Sequence, residues 1–146
     1  MVLIHLAKIT ILEKSCDHFK EVLIPKLVYN EVIKKQYSDA IIIKDLINKK
    51  KIIVKTVKNK EKVKLLNQFN LERGEAESVA LYNQEKADLI ATDDDNVRKK
   101  KFILNIKTIG TPAIMFKLYK NKKIRKEKFK ASINQLREIG WFNDAV

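Results

Sequence analysis

The chain has 146 residues, 45% of them hydrophobic, enough for one core and short for two domains of ordinary size. Its 31 basic residues against 18 acidic ones leave a formal charge of +13, which favours polyanionic partners such as nucleic acid, although lysine enrichment also follows genome composition or a thermophilic host. A lone cysteine, Cys16, and only two histidines, His5 and His18, exclude an internal disulfide and a cysteine-based zinc cluster. No apolar run approaches the roughly 20 residues of a membrane span or forms an export leader, so one soluble cytoplasmic domain over residues 1–146 is expected.

In chain order, Val2, Leu3, Leu6, Ala7, Ile9 and Leu12 keep helical spacing and predict one helix over residues 2–13. The run Val22, Leu23, Ile24 stops at Pro25 and reads as a strand; Leu27, Val28, Val32 and Ile33 then read as a helix with proline in its first turn. Ser38 or Asp39 can cap a second helix carrying Ile41, Ile42, Leu46 and Ile47, followed by a strand at 52–57. Val63, Leu66 and Phe69 predict a short helix over 61–69, which Gly74 separates from another beginning at Glu75. Leu89, Ile90 and Ala91 form a compact apolar strand that runs into Thr92, Asp93, Asp94 and Asp95. A helix over 94–102, a strand over 106–109, a helix after Pro112 and a charged amphipathic helix at about 125–139 complete an alternating order that predicts a parallel α/β sheet.

In such a sheet ligands bind beyond the carboxyl ends of the strands, which draws attention to residues 92–95. Adjacent carboxylates repel each other, and a hard divalent cation would hold them together. The competing explanation is that Thr92 or Asp93 caps the next helix, whose dipole favours an acidic first turn. Glu31 falls at the margin of its helix's apolar stripe, a half-buried position for an acid. Glu75 and Glu77 lie about 100° either side of Ala76, so they point to opposite edges of their helix.

The order of these segments resembles the PIN domain family. The run Val2-Leu3-Ile4-His5-Leu6-Ala7-Lys8-Ile9 is similar to the helix after that family's first strand, and Leu23-Ile24-Pro25 with Val28-Tyr29-Asn30-Glu31-Val32 to its second strand and helix. Gly74-Glu75-Ala76-Glu77-Ser78, Ala87-Asp88-Leu89-Ile90-Ala91-Thr92-Asp93-Asp94 and Ile109-Gly110-Thr111 resemble a subgroup related to toxins of toxin-antitoxin pairs. The resemblance implies a three-layer α/β/α fold with a central parallel sheet. It also implies an endoribonuclease that uses Mg²⁺ or Mn²⁺, with RNA as substrate, an antitoxin as partner, a homodimer and no membrane association.

Carried over by position, Glu31 matches the second acid, Glu75 or Glu77 the third, and Asp93 the fourth with Asp94 as alternative; Thr92 matches an accompanying hydroxyl. Glu31, Glu75, Asp93 and Asp94 are the metal-ligand candidates that follow. The implied chemistry is hydrolysis of a phosphodiester by metal-activated water. Lysines at 99–101 or 122–130 would hold the RNA backbone by charge, or form an ordinary solvated face. The family's first strand and first aspartate would fall ahead of Met1, so the sheet is expected to lack its central strand unless residues 1–4 supply it. An impaired or intact nuclease, an inactive RNA-binding or partner-binding protein, and an obligate oligomer whose partner covers the sheet are the three outcomes this departure allows.

Overall fold

The computed structural model describes residues 2–34 and 39–139. Helix α1 (Val2–Lys8) and helix α2 (Leu12–His18) lead into β1 (Leu23–Pro25), α3 (Lys26–Lys34), α4 (Ala40–Asn48), β2 (Ile53–Lys55), α5 (Lys60–Asn67) and α6 (Arg73–Gln84). Then come β3 (Ile90–Ala91), α7 (Asp95–Lys99), α8 (Lys101–Leu104), β4 (Thr108–Ile109), α9 (Thr111–Lys120) and α10 (Lys126–Glu138). The fold is mixed α/β with parallel strand pairs, as the alternation predicts.

The strands depart from the expected single sheet. Among the described residues they form two separate parallel pairs, β1–β2 with Ile24 opposite Val54 and β3–β4 with Ala91 opposite Ile109. Both pairs nevertheless lie in one layer. Ile24, Val54, Leu89 and Ile109 face an apolar cluster built mainly from α1, α2, α4, α9 and α10, whereas Leu23 and Ile90 face a second cluster built from α5, α6 and α7. Alternate strand residues pointing to opposite helix layers give an α/β/α arrangement. Helix α6 packs on both β1 and β3.

Among the described residues the ladder bonds leave β3 with one edge that no strand pairs. Ile90 and Thr92 donate their N–H groups to Lys107 and Ile109 at 2.8 and 2.9 Å, so Ala91 between them turns its backbone away from β4. Ala91 is exposed although it follows buried Ile90. Of the expected strand at residues 1–4, Val2 to Ile4 belong instead to α1, and Met1 lies outside the described residues.

Other corrections are local. The helix predicted over 2–13 breaks because Ile9 and Ile11 are both fully buried, and Thr10 between them takes φ 61 to let the chain turn. Ser38 lies outside the described residues, and Asp39 precedes α4 without a side-chain capping bond. Gly74 lies inside the first turn of α6 rather than before it. The helix predicted over 94–102 is divided at Lys100 into α7 and α8. No helix among the described residues is long and apolar enough to cross a membrane.

Candidate functional site

The last rung of the β3–β4 ladder delivers Thr92, Asp93 and Asp94 to the carboxyl end of the pair. Asp93 turns inward. Its Oδ1 accepts the Thr111 N–H at 2.7 Å, and its Oδ2 accepts the Thr111 hydroxyl at 2.5 Å and a ring nitrogen of His5, Nδ1, at 2.7 Å. Because a carboxylate only accepts, this contact assigns the His5 proton to Nδ1. The Asp93 side chain is 7% exposed and that of His5 16%, while Thr111 is fully buried. Thr111 opens α9, whose N-terminal dipole favours the carboxylate placed there. Gly110 makes the approach feasible: a Cβ there would stand 3.1 Å from Asp93 Oδ1.

Asp94 does what the sequence assigned to Thr92 or Asp93. Its Oδ1 accepts the N–H groups of Asn96 and Val97 at 2.7 and 3.3 Å, capping α7, while Thr92 Oγ1 accepts the Asp94 N–H at 3.1 Å. Asn96 donates its side-chain amide to the Asn70 carbonyl at 2.8 Å, tying α7 to the connection before α6.

That tie brings two acids together. Glu75 in the first turn of α6 accepts the Glu72 N–H at 2.9 Å, and its carboxyl pKa is raised, first by burial and then by the neighbouring Asp94 carboxyl, against the lowering effect of the Glu72 N–H. Glu31 arrives from α3. It is exposed rather than half-buried, and its carboxylate lies against Gly74, where a Cβ would stand 3.4 Å from Oε2. Glu31 thereby reaches the N-terminal turn of α6, at a distance that a Cβ on residue 74 would meet only in ordinary contact. Glu77 is partly buried and has no hydrogen bond or ion pair among the described residues.

Each of these acids except Glu77 therefore sits at the N-terminal end of a helix, where the dipole stabilises it. Glu75 and Asp94 are neighbouring carboxyls, of the oxygen type a hard cation takes. Among the described residues, however, no group of three or more His, Cys, Asp or Glu is arranged to hold a metal ion. Lys100 is spent on structure, donating to Asn96 Oδ1 at 2.6 Å, and Lys101 lies over the Phe102 ring, 5.3 Å from its centroid.

Sequence reasoning missed His5 and Thr111. The signal for Thr111 is positional: with Ala91 opposite Ile109, Asp93 stands opposite residue 111 once the strand pairing is known. His5 had no such signal, since 88 residues separate it from Asp93.

A family model, DUF3368, described as a PIN domain, matches residues 1–145 of the chain. No curated protein and no solved structure matches it.

Proposed function

Because the chain belongs to the PIN domain family, whose fold is of nuclease type, we propose that it acts on RNA as a toxin-like, metal-dependent endoribonuclease. The observation that carries this reading is the gathering of acids from separate elements at the strand ends: Glu31 from α3 and Glu75 from α6 at one helix N-terminus, Asp94 beside Glu75, and Asp93 at the end of β3. Glu77, on the other edge of α6, is the weaker of the two candidates for a third acid.

Mg²⁺ or Mn²⁺ is the ion such oxygens would take, and PIN domains generally use divalent metals. The described acids do not fit it as they stand. Asp93 is turned toward His5 and Thr111, and Glu75 with Asp94 makes a pair rather than a trio. This supports a second reading, a catalytically inactive RNA-binding or partner-binding regulatory protein. The separation of β1–β2 from β3–β4 supports the accompanying proposal that a central strand ending in an acid belongs between them. An antitoxin and a homodimer are part of the first reading.

The test is cleavage of single-stranded RNA in Mn²⁺ or Mg²⁺, with and without chelator, by the chain and by Glu31→Gln and Asp93→Asn variants. Glu31 is exposed, so its variant leaves the fold intact. Nuclease function predicts chelator-sensitive cleavage reduced on the order of tenfold or more in each variant. Equal cleavage by all three proteins sinks it, and RNA binding without cleavage establishes the regulatory reading.

A further inference from the structure

The far end of α9 carries a different feature. Helix α9 runs ten residues from Thr111, which holds Asp93, to Lys120, a length of roughly 15 Å at the rise of an α-helix. Beyond it, Lys122, Lys123, Arg125 and Lys128 face Lys14 of α2 across an open groove of about 560 Å³, with Glu127 as its single acid. Buried Ile124 forms the apolar part of the lining.

Among the described residues none of these five cations forms a salt bridge; Lys128 bonds the Thr10 hydroxyl. Two cations that follow α4 are paired instead. Lys51 bridges Glu13 and Asp17 at 2.9 Å each, and Lys49 pairs with Asp45 at 2.9 Å. The groove, by contrast, gathers its five cations beside one acid, Glu127. Its placement also opposes helix stability, because Arg125, Lys126 and Lys128 crowd the N-terminal end of α10, where a dipole repels cations and Arg125 makes no side-chain cap. An anion in the groove would relieve both repulsions.

We infer that this groove is a second RNA-contacting surface, one that holds the phosphate backbone of a single strand away from the acid cluster. A protein partner is disfavoured by the lining, since the centre of a protein interface is depleted of lysine and built on exposed apolar anchors, whereas the groove's apolar residue is buried. Backbone phosphates need no such anchors and are held by unpaired cations without sequence preference. The choice of RNA over other polyanions rests on the proposed function; the groove itself does not.

The experiment measures binding of a labelled single-stranded RNA in chelator, so that cleavage plays no part. It compares the full chain, a Lys14→Glu/Lys123→Glu variant that reverses one exposed charge on each wall, and a Lys60→Glu/Lys64→Glu variant with the same net charge altered on α5. The groove variant is expected to bind about tenfold or more weaker than the control variant. Its salt dependence should be shallower by a slope of about 1 to 2, the contribution of two lost phosphate contacts. Equal affinity of the two variants overturns the inference, as does tighter binding of a polyglutamate peptide than of RNA. A chain that binds through the groove but never cleaves retains the inference and removes only the nuclease reading.

Discussion

One end of α9 closes on a carboxylate and the other runs into a groove of cations, and the two are built on different principles. At the acid end, His5, Asp93 and Thr111, far apart in sequence, are fixed to one another by short hydrogen bonds with little exposure to water. At the basic end the charged groups form no salt bridge among the described residues, and it is the apolar groups beneath, Leu118, Ile124 and Leu136, that hold the elements in place. The first arrangement depends on geometry and is sensitive to single atoms. The second depends on a summed field and tolerates the loss of any one charge.

The largest expected effect comes from the apolar support of the basic end. Leu136 is fully buried on the inner face of α10, and Leu136→Ala should cost about 2–5 kcal/mol in urea denaturation, the range for a leucine removed from a packed core. Loss of under 1 kcal/mol would mean that α10 is not anchored there. At the acid end, Thr111→Val keeps shape but deletes the hydroxyl that donates to Asp93 in a fully buried position. A hydrogen bond to a charged group contributes about 1.5–3 kcal/mol, so the variant should lose that much while its RNA affinity in chelator stays unchanged. A Thr111→Val protein as stable as the parent would show that the acid end is not held by this network.

The two ends were unequally legible in the sequence. The alternation of strands and helices and the charged C-terminal helix follow from periodicity, which local patterns encode. The acidic run after Ala91 was legible as a strand-end feature, but not which of its members would turn inward. That choice depends on Gly110 and Thr111 standing opposite, a matter of register between β3 and β4. The approach of Glu31 to Gly74 was hidden for a similar reason: it comes from another helix, and in sequence Gly74 looks like punctuation. The break at Thr10 follows from both its isoleucine neighbours being buried, which helical spacing alone does not allow. The lysines at 122–130 were legible as charge, while their position at the end of α9 opposite Asp93 required the packed helix.

The smallest effect concerns Glu75, where the acid end stores repulsion instead of hydrogen-bond strength. Its pKa in the folded chain is raised above the ordinary value of 4.5, by burial and then by Asp94, so the folded state retains a proton that the unfolded chain has released. In the window from pH 4.5 up to that raised value the folded state therefore binds more protons, and this group's contribution makes stability fall as pH rises. Glu75→Gln removes the titration while its side-chain carbonyl still accepts the Glu72 N–H. Other acids titrate in the same range, so the informative quantity is the difference between variant and parent in urea midpoint across it. That difference should grow in the variant's favour as pH rises through the window and level off above it. A constant difference would mean that Glu75 and Asp94 do not share the environment that brings them together as candidate ligands.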